Sequence, residues 1–131
     1  MENSKYLISE ELKIKDVLLS LGELEDNILF VINKNRQLIG SITDGDVRRG
    51  LLKGFNSSDS INKIVHKAPK FINIDDYQIK EIIFLRKNNY KVIPVVNNEN
   101  IVVNILNFRF QKSLLPVDAF IMAGGIGSRL K

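Results

Sequence analysis

Hydrophobic residues along this chain fall into short blocks whose spacing switches between helical and extended, and the blocks occur twice. Ile14, Val17, Leu18 and Leu21 recur at the spacing of one helix face, and Gly22 follows as a C-terminal cap. Two near-continuous apolar runs come next, ILFVI at 28–32 and LIGSI at 38–42, around the polar turn NKNRQ, which predicts a pair of short strands. The same order returns farther on. Ile79, Ile82 and Ile83 line a second predicted helix that Asn88 and Asn89 end, and VIPVV at 92–96 and IVVNIL at 101–106 bracket the turn NNEN. Between the copies, GFNSSDS reads as a loop, INKIVHK as a short helix capped by Ser58 or Asp59, and KFINI as a strand.

The copies align residue on residue. FVINKNRQLIG at 30–40 lies without gaps on PVVNNENIVVN at 94–104, so that Val31 meets Val95, Ile32 meets Val96, Asn33 meets Asn97, Leu38 meets Val102 and Ile39 meets Val103. Upstream, IKDVLLSL at 14–21 matches IKEIIFLR at 79–86 after a shift of one residue that a loop absorbs. Repetition at this period indicates duplicated supersecondary units, each too small to bury its apolar surface alone. Strands this apolar are covered on more than one side. The expected fold is therefore mixed α/β (α+β), with two small sheets and helices packed outside.

Composition narrows the function classes. With 131 residues, 44% hydrophobic and 26% charged, the chain has the size of one ordinary globular domain. It has no cysteine, which removes disulfides and thiolate metal sites and fits a cytoplasmic location. No apolar run approaches the roughly 20 residues that span a bilayer, and MENSKYLISEELK lacks the apolar stretch of a secretory signal, so no membrane partner is expected. The net charge of +4 comes from scattered Lys and Arg, which suits small anions better than a long polyanion. Aromatic content of 8%, no Trp, and no RNA-binding or helix-turn-helix signature argue against nucleic acid.

One segment is far more polar than its neighbours: GSITDGDVRRG at 40–50, where a strand ends and a helix begins. Helix N-termini carry unpaired N–H donors and partial positive charge, which stabilise an anion. Thr43 supplies a hydroxyl for a phosphate oxygen, Asp46 two acceptors for a ribose diol, and Arg48 and Arg49 guanidinium groups for phosphate, with Asp44 beside them. Gly40 and Gly45 allow close backbone approach. The same Thr43-x-x-Asp46 spacing also matches a capping box, which contributes about 1 kcal/mol of local stability and requires no ligand. Other candidates are thin. His66, the only histidine, has no second ligand to make a metal site and is expected on the surface of the linking helix. Asp75 and Asp76 precede a helix and are expected to cap it. No nucleophilic triad is evident, so no catalytic residue is assigned.

The order strand, Gly40, two residues, Thr43, two residues, Asp46, apolar residue, in a chain built as two such units, resembles a tandem pair of cystathionine-β-synthase (CBS) domains, the Bateman module. The resemblance runs from residue 1 to about 112. GSITDGDVRRGL is especially similar to the CBS pairs attached to sugar-phosphate isomerases and sugar-phosphate nucleotidyltransferases. It implies two β-α-β-β-α-like repeats, 1–56 and 57–112, packed by their small sheets. It also implies an adenine or related nucleotide, AMP- or ATP-like, whose phosphate and ribose are held by Thr43 and Asp46. Pro94 matches a proline common in these domains and either lines a shared cleft or serves as a rigid strand residue. Family members pair their modules into a flat disc, which implies a homodimer. The second copy departs from the pattern: Asn104 stands where Gly40 does, Asn107 where Thr43 does, and Phe110 where Asp46 does, so any site there is expected to be weak or absent.

The tail carries a second resemblance. Pro116 marks a linker at 113–118, and AFIMAGGIGSRLK at 119–131 is similar to the opening motif of sugar-1-phosphate nucleotidyltransferases. In that family the loop matching Gly124, Gly125, Gly127, Ser128 and Arg129 cradles a nucleoside triphosphate. The downstream lysine, metal-binding carboxylates and sugar pocket of the family do not follow, so this chain is expected to be non-catalytic. The two resemblances together imply a regulatory CBS module joined to a nucleotidyltransferase domain that is missing here, with Mg needed only in the parent enzyme. The rival expectation is a ligand-free module, kept for dimerisation and spacing, whose nucleotide sensing has been lost.

Overall fold

In the computed structural model, which describes residues 4–108, the repeat in the sequence is a repeat in three dimensions. After a 3-10 turn at Ser4–Tyr6, β1 (Leu7–Ser9) runs parallel to β2 (Ile28–Ile32), with α1 (Ile14–Gly22) as the crossover. β2 turns back antiparallel into β3 (Leu38–Thr43), which leads directly into α2 (Asp44–Leu52). Then the order recurs: β4 (Ile72–Asn73), α3 (Ile79–Lys87), β5 (Val92–Val96) and β6 (Val102–Asn107), with the same parallel and antiparallel pairings. Each sheet has three strands, with β2 or β5 in the middle. Parallel neighbours need a crossover, and α1 and α3 provide it.

The hairpins are copies in detail. Each pairing skips one residue at the same place, between Val31 and Ile32 and between Val95 and Val96. In the first turn the Asn33 side-chain oxygen accepts the N–H groups of Asn35 and Gln37 at 2.9 and 3.0 Å. In the second, Asn97 accepts those of Glu99 and Ile101 at 2.9 and 3.0 Å. Arg36 and Asn100 then take left-handed conformations, φ 63° and 65°. The coincidence of Asn33 with Asn97 is thus one device used twice, a carboxamide that satisfies the turn's backbone donors.

The middle of β2 and the whole of β5 are buried, as continuous apolar runs lead one to expect. Ile14, Val17, Leu29, Val31 and Ile42 are fully buried in the first repeat, and so is Ile61 in the connection that follows it. Ile72, Ile82, Leu85, Ile93, Val95, Leu106 and Phe108 cluster in the second, with Ile74 and Tyr77 packed against them.

The connection between repeats differs from expectation. INKIVHK is not a helix: only Ile61–Lys63 form a 3-10 turn, capped by Ser60, whose hydroxyl accepts the Asn62 N–H at 3.2 Å, and not by Ser58 or Asp59. Its backbone is engaged elsewhere, because Ser60 bridges Lys13 and His66 bridges Ser41. A helix would give up those bonds. The chain divides into two compact units, the first ending at Pro69 and the second beginning at Lys70. KFINI contributes strand only at Ile72–Asn73.

Three helix ends also differ from or match their signals. Gly22 is the last residue of α1, and Glu23, in right-handed conformation at φ −89°, is the cap. Asn88 caps α3 and Asn89 is left-handed at φ 66°, as expected. Asp75 and Asp76 do not cap α3, whose N-cap is Gln78 without a side-chain bond. Asp75 instead accepts the Asn98 N–H at 3.2 Å, tying the turn after β4 to the β5–β6 hairpin. No helix among the described residues is long and apolar enough to cross a membrane.

Candidate functional site

Thr43 is the last residue of β3 and the N-cap of α2, extended at φ −111°. Its hydroxyl accepts the Asp46 N–H at 3.2 Å and donates to Asp46 Oδ2 at 3.0 Å, while its own N–H donates to the same oxygen at 2.9 Å. The capping box is therefore complete. Arg49 donates to Asp46 Oδ1 at 2.7 Å, and Arg48 to Asp44 Oδ2 at 2.6 Å. A carboxylate offers about four acceptor positions, so one on Oδ1 of Asp46 stays open to a ligand hydroxyl. The Asp46 side chain is only 16% exposed whereas those of Arg48 and Arg49 are 69% and 66% exposed. Exposed ion pairs are weak, which leaves both guanidinium groups free to turn toward phosphate at little cost.

Gly40 and Gly50 bring the connection after α2 against this corner. A Cβ on Gly40 would lie 2.4 Å from the His66 carbonyl oxygen and 2.5 Å from Val65 Cγ1; one on Gly50 would lie 2.5 Å from Ile64 Cγ2. Ser41 and His66 exchange both backbone hydrogen bonds at 2.9 Å. The close approach that Gly40 permits is thus made by the chain itself.

Between α2 and the connection lies a polar cleft of about 230 Å³. Asp46 and Arg49 reach it from successive turns of α2, Lys53 from the C-cap of that helix, Phe55 from the loop beyond, and Lys63 and His66 from the connection. Lys63 stands 5.5 Å from the centre of the Phe55 ring and 3.4 Å from Asp59 Oδ1. The backbone N–H of Asn56 holds the Asp59 carboxyl below its usual range against a smaller opposing effect of burial, and Lys63 adds lesser contributions in the same direction as Asn56. A larger groove of about 350 Å³ at the ends of β1 and β2, lined by Leu7, Ile8 and Ile32 among others, is mainly apolar and contains none of the predicted residues.

Of the residues singled out from sequence, Gly40, Thr43, Asp44, Asp46, Arg48 and Arg49 share the β3–α2 corner. Lys53, Lys63 and His66 were missed as members of the cleft. Lys53 was readable, four residues after Arg49 on the same helix face; Lys63 and His66 arrive only through the tertiary path of the connection. Pro94 lies buried in β5 opposite Ile105, in the second unit. Asn104 and Asn107 occupy the register positions of Gly40 and Thr43, opposite Val95 and Val92 as those are opposite Val31 and Ile28. Asn104 accepts the Ile105 N–H at 2.8 Å, and Asn107 is buried. Phe110, the linker at 113–118, and Gly124, Gly125, Gly127, Ser128 and Arg129 lie outside the described residues. Among the described residues no group of three or more His, Asp or Glu is placed to hold a metal.

Two β-α-β-β repeats, the first of them with a Gly-x-x-Thr-x-x-Asp corner, have the fold of a CBS-domain pair, and solved structures agree. A CBS domain protein of Streptococcus pneumoniae, 19% identical, matches with a TM-score of 0.66 over 88% of this chain and 79% of that one. CbpB in complex with c-di-AMP, 18% identical, matches with a TM-score of 0.67 over 89% and 77%. Among curated proteins, an uncharacterized protein of Helicobacter pylori is 30% identical over 102 residues, 77% of this chain and 31% of that protein. A probable arabinose 5-phosphate isomerase of Haemophilus influenzae is 35% identical over 82 residues, 60% of this chain and 24% of that protein. The chain spans less than a third of the length of these relatives. No protein-family model matches it.

Proposed function

We propose that this chain is a regulatory module that binds a nucleotide at the β3–α2 corner. The observation that carries the reading is the preformed polar cleft that Arg49, Lys53 and Lys63 line together with one shielded carboxylate, Asp46. Arg49, Lys53 and Lys63 face phosphate, Thr43 holds Asp46 in place through the capping box, and the open acceptor position of Asp46 takes a ribose hydroxyl. ATP in a solved structure of similar fold, the cytosolic domain of the Mg2+ channel MgtE, supports this class of ligand. The module works in the cytoplasm and performs no catalysis itself. In the larger protein it modulates a sugar-1-phosphate nucleotidyltransferase, which joins a nucleoside triphosphate to a sugar 1-phosphate with Mg and releases pyrophosphate. The support for that parent is the AGGIGSR motif; the relative named as an arabinose 5-phosphate isomerase favours a sugar-phosphate isomerase as the second reading. Exposed Leu18 and Leu19 on α1 and Leu51 and Leu52 on α2 support a homodimer through these helices.

Thermal melting with AMP, ATP, CMP, GTP and nucleotide sugars tests the reading. A true ligand at 100 times its Kd adds about 2.7 kcal/mol of stability. The increment is expected to vanish in Thr43→Ala/Asp46→Ala, measured against that variant's own baseline. If no nucleotide raises the melting temperature, the module is structural and serves dimerisation and spacing.

A further inference from the structure

The charge and size of the cleft allow its ligand to be narrowed, on the assumption that the nucleotide reading holds. Its lining carries three cations, Arg49, Lys53 and Lys63, beside the carboxylate of Asp46, and Asp59 stands 3.4 Å from Lys63 just outside it. Arg49 is matched by Asp46 and Lys63 by Asp59, but no ion pair of Lys53 forms among the described residues. At about 230 Å³ the cleft falls below the roughly 300–1,000 Å³ of sites that enclose a whole drug-sized ligand. It has room for one end of a nucleotide, and the end that this lining complements is anionic.

We infer that the cleft is a reader of phosphate charge: it takes a terminal phosphomonoester dianion in preference to a phosphodiester or an uncharged nucleoside. A monoester carries about −1.5 to −2 at neutral pH and three acceptor oxygens, one for each of Lys53, Arg49 and Lys63, which approach from both walls. A diester carries a single charge and has two of its oxygens esterified. The anion draws Arg49 away from Asp46, and the backbone and hydroxyl of Thr43 keep that carboxylate satisfied on Oδ2. Ligand discrimination then rests on the terminal phosphate more than on the base.

Calorimetric titration of the whole chain in phosphate-free buffer with 5′-AMP, 3′,5′-cyclic AMP, adenosine and ribose 5-phosphate tests this. The expected order places 5′-AMP at least about tenfold tighter than cyclic AMP or adenosine, the effect of one charge-assisted hydrogen bond, with ribose 5-phosphate still bound. Lys53→Gln is expected to weaken 5′-AMP about tenfold, while Lys34→Gln, an exposed lysine outside the cleft, leaves it unchanged. Equal affinity for 5′-AMP and cyclic AMP, or an equal loss in the Lys34 variant, overturns charge reading and leaves the nucleotide site standing. Binding of ribose 5-phosphate without 5′-AMP overturns the nucleotide reading and keeps the charge inference. If none of the four binds, both fall.

Discussion

At the end of β3 the chain passes through Thr43 straight into α2, with Asp46 closing the capping box; at the end of β6 the equivalent strand positions carry Asn104 and Asn107. Neither asparagine brings a hydroxyl or a carboxylate. Yet the hairpins leading to these two points share the bulge, the asparagine turn and the left-handed residue. The difference teaches that the hairpin and the corner are separable. The turn asparagine and the apolar strands shape the repeat, whereas the corner's polar groups stabilise it by only about 1 kcal/mol and can be lost from one copy without losing its fold. The crossover helices differ as well. Ile14 at the start of α1 is fully buried, but its counterpart Ile79 on α3 is 46% exposed. Asp59 and Ser60 of the connection bond to Ile14 and Lys13 and so cover the start of α1.

That contrast can be broken most directly at the helix starts. Ile14→Ala is expected to lose about 3 kcal/mol in urea unfolding, and Ile79→Ala less than about 1, because only the first removes a fully packed side chain. Equal losses would mean that both helices are covered alike. Next comes the close approach at β3: Gly40→Ala is expected to destabilise by about 2 kcal/mol, since its Cβ meets a backbone oxygen that cannot move cheaply. Asn104→Ala, at the same register, should stay within about 0.5 kcal/mol. Thr43→Ala should cost about 1 kcal/mol through the cap, with Thr43→Ser retaining most of it, whereas Gln78→Ala on uncapped α3 should leave stability unchanged. A measurable loss at Gln78 would remove the distinction between the two helix starts.

The smallest effect is in acid. Asp59 has its folded pKa below its ordinary 3.8, so its contribution is present above that value and is lost as pH falls through the folded pKa. Stability measured from pH 5 to about pH 2.5 should fall less steeply in Asp59→Asn, and an unchanged slope would show that the Asn56 N–H and Lys63 do not favour the carboxylate.

Much of this was legible before folding. The apolar blocks at 28–32, 38–42, 92–96 and 101–106 became β2, β3, β5 and β6 with small changes at their ends. The two helices began at Ile14 and Ile79, as their spacing required. β1 and β4 were harder, with three and two residues, because so short a strand has no period to detect and is defined by its neighbour. The connection was misread as a helix because INKIVHK has local helical spacing, while its backbone groups found partners in Lys13 and Ser41. At the corner, Thr43 and Asp46 were found by their spacing, and the choice between cap and ligand residue was open. The geometry makes them a cap and leaves one acceptor position on Asp46.

Local chemistry in the sequence determined the duplicated hairpins, the crossover helices and the capping box, since each depends on residues within a few positions of one another. Tertiary structure alone decided that Ile14 is buried and Ile79 exposed, that Gly40 makes room for the chain's own backbone, and that Lys63 and His66 join Arg49 and Lys53 in one cleft. The burial of Ile14, the approach at Gly40 and the cleft depend on where the connection after α2 lies. Its path is set by backbone pairing with residues far away in sequence, which no local spacing records.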